Sequence, residues 1–195
     1  MLIPLETKTT ELEVKKSRFI TTAFPVTSFI ELKEIITKTR QDNPGARHVV
    51  HSAVIGEENS LQYSMSDDRE PKNTAGRPSL EVLKGSGITN VGIVIVRYFG
   101  GTLLGTNGLM HAYSDSTKLV LQTLKTKELI EMTSLSFKLP YELYDQAKRL
   151  LTKYAAFTTK EEFGTNISIT LDLPKKYENN LKDDLTQLSS GKLTF

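Results

Sequence analysis

The sequence predicts an α+β protein of two domains, a larger mixed domain followed by a smaller ferredoxin-like one. Three observations predict it. Residues 90–114, NVGIVIVRYFGGTLLGTNGLMHAYS, read as a buried strand, a glycine-rich turn and the start of a helix. The composition shifts after Lys125, where a charged stretch runs to Thr133 as a linker or strand start. From Ser134 the elements alternate in the order βαββαβ, the pattern of a ferredoxin-like unit. The expected domains are residues 1–130 and 134–195.

Taken in order, Thr10–Val14 and Phe19–Val26 read as strands around Lys15-Lys16-Ser17-Arg18. Ser28 and Glu31 form a capping box for a helix through Phe29, Leu32 and Ile36. Asn43-Pro44-Gly45 ends that helix. His48–Ile55 and Leu61–Ser66 read as a hairpin around the loop 56–60. A polar loop follows from Ser66 to Pro78 and leads into a short helix through Leu80, Val82 and Leu83. Gly85-Ser86-Gly87 closes it. The β-branched run from Val91 to Val96 suits a packed central strand, and Leu109, Tyr113, Ser116, Val120 and Leu124 share a helical stripe. In the tail, Tyr144, Ala147, Leu151 and Tyr154 mark one helix, and Tyr177, Leu181, Leu185 and Leu188 a second. Two strands flank Gly164, and a short last strand is expected after Gly191.

Composition narrows the classes. The 195 residues are 38% hydrophobic and carry a formal net charge of +2, so no strong global field draws the chain to nucleic acid, and a local basic patch stays open. There is no Cys, which removes disulfides, thiolate metal sites and cysteine nucleophiles and fits a reducing cytoplasm. The first residues lack the pattern of a signal peptide, and no run is long enough to span a bilayer. The expected localisation is cytoplasmic, with no membrane partner.

The candidate chemistry gathers around two segments. The turn after Tyr98 holds Gly100, Gly101, Gly105 and Gly108 and opens a helix, a place where unpaired N–H groups can meet an anion. It is neither a Walker A loop nor GxGxxG; the plainer reading is close packing of strand and helix. Asp67, Asp68 and Glu70 could converge on a hard cation or do acid–base work. They could equally pair with Arg97, Arg47 or Arg77 and hold the loop. Arg97 shares strand parity with Ile93, Ile95 and Phe99, so its guanidinium faces an apolar side and needs a partner, which an acidic loop packing nearby would supply. His48 and His51 have odd spacing on a strand, which points them to opposite faces and argues against a shared metal. His111 near the helix start could face an anion or solvent. No GxSxG elbow or triad is present. Lys175 and Lys176 read as the solvated first turn of a helix.

These residues carry a resemblance. Lys15-Lys16-Ser17-Arg18-Phe19-Ile20, Ala46-Arg47-His48, Asp67-Asp68 with Glu70-Pro71, Thr74-Ala75-Gly76 with Pro78, and Val96-Arg97-Tyr98-Phe99-Gly100-Gly101 with Leu104-Gly105-Thr106 closely resemble the YigZ/IMPACT family in letters and spacing. The match covers roughly the first two-thirds of the chain, and the tail is similar to the second domain of bacterial members. The resemblance implies a first domain like the second domain of small-subunit ribosomal protein five and a second like domain five of elongation factor G. It also implies a link to translation. Eukaryotic relatives regulate it by competing for the activator of a starvation-sensing kinase, whereas bacterial members have no settled activity. Three positions depart from the family pattern: Arg69 and Asn107 stand where Gly is usual, and His111 where Lys or Arg is common. Asn107 is expected to keep a backbone with φ > 0, and Arg69 implies a turn that does not need glycine.

The expected function is regulation of translation or a stress response by binding RNA, the ribosome or a translation factor, with no catalytic cycle, cofactor or metal. Arg47, Arg77, Arg97, Gly100, Gly101, Gly105 and Thr106 are the expected donors, and Asp67, Asp68 and Glu70 are loop acids of structural or site character. Two alternatives remain: a hydrolase or phosphate-handling enzyme using the acidic loop and glycine turn, and a protein–protein competitor that binds no nucleic acid. The oligomeric state is not legible.

Overall fold

Residues 1–57, 59–193 and 195 are described by the computed structural model, and they fall into two units, Met1–Leu129 and Ile130–Phe195. The first runs β1 (Leu2–Pro4), β2 (Lys8–Val14), β3 (Ser17–Pro25), α1 (Phe29–Asp42), β4 (His48–Ile55), β5 (Gln62–Ser66), α2 (Gly76–Gly85), β6 (Val91–Tyr98), α3 (Gly105–Thr123) and β7 (Thr126–Glu128).

The β-branched run of β6 lies at the centre because a strand covered on both faces must be apolar throughout. The five-stranded sheet has the order β2-β3-β6-β4-β5, and every neighbouring pair is antiparallel. On one face Phe19, Val50, Ile93 and Ile95 pack with Leu83 of α2 and Leu109, Tyr113 and Val120 of α3. On the other, Phe24, Val49, Ala53, Val94 and Val96 pack with Leu32 of α1. A buried chain of hydroxyls ties the layers together: Ser52 to Ser79 at 2.8 Å and Ser79 to Thr117 at 2.9 Å.

The capping box at α1 forms in a shifted version. Ser28 Oγ accepts the Glu31 N–H at 3.2 Å, while the Glu31 carboxylate accepts the Thr27 N–H at 3.0 Å. Leu2–Pro4, for which the sequence predicts no element, and Thr126–Glu128, expected as a linker or strand start, pair as an antiparallel ribbon with Leu2 opposite Glu128. Three residues a side are too few to show a period of two.

The second unit runs β8 (Met132–Leu139), α4 (Tyr144–Lys153), β9 (Phe157–Phe163), β10 (Ile167–Pro174) and α5 (Glu178–Leu188). Its sheet has the order β8-β10-β9. Leu135, Phe137, Leu139, Ile169 and Leu171 pack against Ala147, Leu151, Leu181 and Leu185 from the helices. The strand expected after Gly191 does not form at residues 191–193 or 195, and Thr194 lies outside the described residues. Ser190 (φ 52°) and Gly191 (φ 78°) turn the chain sharply, and the Leu193 N–H returns to Ser189 Oγ at 3.1 Å. Lys175 and Lys176 lie in a 3-10 turn before α5, where Lys175 pairs with Glu131.

Candidate functional site: a cavity between the acidic loop and the start of α3

The loop from Ser66 to Ala75 folds around its own carboxylates. Asp67 accepts three backbone N–H groups, from Asn73 (2.8 Å), Ala75 (3.0 Å) and Gly76 (2.8 Å), so it fastens the loop and supplies the start of α2. Asp68 accepts the Val49 N–H at 2.6 Å and pairs with Arg40 of α1 at 2.8 Å. Burial, the largest influence on its carboxyl, pushes the pKa up, but the Val49 N–H and the Arg40 guanidinium together outweigh it and hold the value below the usual range.

Glu70 is the deepest of the three, its side chain 3% exposed. Its Oε1 accepts from Arg97 Nη1 at 2.6 Å and from the Tyr113 hydroxyl at 2.8 Å. Burial first, then the Glu70 charge, push the Tyr113 phenol pKa far up, so it remains a neutral donor. Arg97 thus has the acidic partner that its parity on β6 demands. Arg97 is 6% exposed and stacks near Phe19 and Phe99, at 5.5 and 5.9 Å to the ring centroids. His48 Nδ1 lies 2.8 Å from the Asp68 carbonyl oxygen, which can only accept, so Nδ1 carries the proton; Nε2 lies 3.8 Å from Glu70. His51 points away to Ser64 on the other face, at 3.2 Å. Among the described residues, no group of three or more His, Asp or Glu side chains is placed to hold a metal ion.

Above this network lies a cavity of about 340 Å³. Its apolar wall is Pro71, Phe99, Leu103, Leu104 and Leu109; its polar lining is Arg47, His48, Glu70, Arg97, Gly105 and Thr106. Arg47 sits near the Phe99 ring, 5.9 Å from its centroid. Gly105 (φ 73°) lets the chain turn into α3. That helix starts with Leu104 as N-cap, without a side-chain cap or an acid in its first turn.

The cavity brings Arg47, Arg97, Gly105, Thr106 and Glu70 together. The other expected donors lie off its lining. Arg77 is exposed in the first turn of α2, and Gly101 (φ 87°) is exposed in the turn. Gly100 has its N–H on Ser17 Oγ at 3.2 Å. Of Arg97, Arg47 and Arg77, proposed for the loop acids, Arg97 pairs with Glu70; Asp68 is met instead by Arg40 at 2.8 Å and Arg69 at 4.0 Å. Arg47 supplies only its carbonyl, which accepts from Arg69 at 2.9 Å.

Two departures read differently in the structure. Asn107 lies inside α3 and needs no positive φ. Arg69 does occupy the left-handed region, at φ 68° beside Asp68 at φ 42°. Its position is therefore one that glycine suits, and a bulkier residue there costs about 1 kcal/mol. Arg69→Gly should raise stability by about 0.5–1 kcal/mol, less the bond to Arg47. Urea denaturation checks this; a loss of stability would show that the Arg69 bond outweighs the backbone strain.

Arg40, His48, Leu103 and Tyr113 were not foreseen as parts of this assembly. Parity places Phe99, two residues beyond Arg97, on the same face; Arg40 had no local signal.

Residues 15–121 match the Impact N-terminal domain, and residues 137–192 match a domain of unknown function, DUF1949. An IMPACT family member of Haemophilus influenzae is 35% identical over 100% of this chain and 95% of its own length. The IMPACT family member YigZ of Escherichia coli is 33% identical over 98% of this chain and 95% of its own. A crystal structure described as that of a hypothetical protein superposes with a TM-score of 0.70 at 32% identity, covering 99% of this chain and 94% of that one. A model match over more than half the chain, with relatives at this identity over nearly all of it, makes the chain a member of the IMPACT family.

Proposed function

We propose that this protein regulates translation or a stress response in the cytoplasm by binding RNA, the ribosome or a translation factor, without a catalytic cycle. One observation carries the reading: the cavity has an open helix N-terminus and an exposed arginine on its rim, while its acids are already engaged. Asp67, Asp68 and Glu70 bond backbone N–H groups, arginines and Tyr113. A hydrolase would need one of them free to hold a metal or move a proton. What remains unengaged on the rim is cationic, and a cation beside oriented N–H groups attracts phosphate or carboxylate. The family resemblance implies domains like modules of the translation apparatus, in small-subunit ribosomal protein five and elongation factor G, and that analogy supports the same direction.

Because the net charge is only +2, tight binding must come from this local patch. Binding to ribosomes or RNA should weaken with salt, each phosphate contact adding roughly 0.7–0.9 to the slope of log affinity against log salt. Arg47→Ala should lower affinity and slope with little change in melting temperature, and Arg77→Ala should do so less. A salt-titrated binding assay beside circular dichroism melts checks this. Absence of binding to ribosomes and RNA even at low salt would move the reading to a protein partner.

A further inference from the structure

We propose, resting on that reading, that the cavity seats one nucleotide unit of single-stranded RNA. Its phosphate lies at the start of α3 beside Arg47, and its base lies on the apolar wall of Phe99, Leu103 and Leu104.

The lining divides by chemistry. One side is apolar, and two of its members are open to solvent: Phe99 is 42% and Leu103 is 84% exposed. Large apolar groups left bare at the mouth of a cavity fit a ligand with a flat apolar part. The other side gathers Arg47, Arg97, Gly105 and Thr106. An anionic ligand with a planar base meets both sides at once, and aromatic rings and arginine planes are the usual seats of unstacked RNA bases.

The charge balance selects among phosphate ligands. The Glu70 carboxylate offsets Arg97 at 2.6 Å. Among the described residues, Arg47 is then the one permanent cation on the lining without an acidic partner, joined by the partial positive charge of the α3 terminus. One cation and a helix terminus match the single charge of a phosphodiester, not the several charges of a nucleoside triphosphate. The site also holds an unused buried donor. Arg97 lines the cavity, is 6% exposed, and its Nε–H has no hydrogen-bond partner among the described residues. A buried N–H without a partner is costly, and a turn of the Arg97 side chain that bared it to a ligand acceptor would relieve it. A duplex keeps its bases stacked inside and cannot place one against Phe99, so the strand must be single.

The test is an amide NMR titration of the full chain with hexauridylate, a hexamer duplex, uridine and inorganic phosphate, repeated on Thr106→Asp and Phe99→Ala. Hexauridylate should perturb Gly105, Thr106 and Arg47, with the duplex, uridine and phosphate each binding at least tenfold more weakly. Thr106→Asp places a carboxylate in the first turn of α3, where it favours the helix and opposes a phosphate. Affinity should fall about tenfold or more while the melting temperature holds or rises, a divergence that a structural role would not give. Phe99→Ala should weaken binding about fivefold to a hundredfold.

Inorganic phosphate or duplex binding as tightly as hexauridylate would overturn the nucleotide seat. RNA binding that both variants leave unchanged, with shifts elsewhere, would also overturn it and leave the wider reading standing. No binding of any RNA at low salt would remove both.

Discussion

Arg97→Ala should lower the unfolding free energy by about 3–5 kcal/mol, the usual cost of removing one partner of a buried ion pair. The size follows from what is left behind. Glu70 would keep one strong donor, the Tyr113 hydroxyl at 2.8 Å, in a place where its side chain is 3% exposed. It would then protonate or draw water into the core of the first unit, and either route costs free energy. The stacking of Arg97 on Phe19 would be lost as well. Urea denaturation at neutral pH measures the effect. Glu70→Gln in the Arg97→Ala background should recover part of it, because the orphaned charge is gone. A loss below about 1 kcal/mol would mean that solvent screens the pair as it does on a surface. Chelator should leave the melting temperature of the wild type unchanged; a fall with EDTA would bring back a metal for the loop acids.

Gly100→Ala should be almost as damaging, for a reason of shape alone. A Cβ at Gly100 would lie 2.0 Å from the carbonyl carbon of Lys16, 2.1 Å from its oxygen and 2.3 Å from the Ser17 nitrogen. All three are backbone atoms of the tight turn between β2 and β3, where Lys15 and Lys16 both hold positive φ. Nothing there can swing aside as a flexible side chain would. Overpacking of this kind costs about 3 kcal/mol or more, and the Gly100 bond to Ser17 would go with it. The neighbouring Gly101→Ala is the control. It has φ 87° and open space around its Cβ position, so its cost is the backbone conformation, about 1–2 kcal/mol. Parallel melts of the two variants separate them; equal losses would show that the β2–β3 turn yields.

These two residues show where sequence reasoning reached and where it stopped. The demand of Arg97 for an acidic partner was legible because strand parity is local: it follows from counting along β6. The acidic loop was legible as the source of that partner; which of its three acids reaches Arg97 was not, since Glu70 is held in place by Tyr113 and His48, which arrive from α3 and β4. Arg40 was invisible for the same reason, being carried to Asp68 by α1. Gly100 read as a donor because glycine near a helix start has that use. The backbone that crowds it lies across the sheet, and only the paired strands reveal it. The ribbon of β1 and β7 and the lack of a strand among the described residues after Gly191 were both questions of a few residues, where tertiary bonds outweigh any pattern. The buried, central place of β6 was the most legible feature, because a strand covered on both faces must be apolar at nearly every position.

The ribbon has a consequence for how such a unit travels between proteins. With Leu2 opposite Glu128, the first and last strands of Met1–Leu129 are zipped side by side. A module whose two ends meet can be lifted out, inserted into a host loop or circularly permuted with its core unchanged. For this unit the natural splice lies at the ribbon, and a linker of a few residues would bridge it.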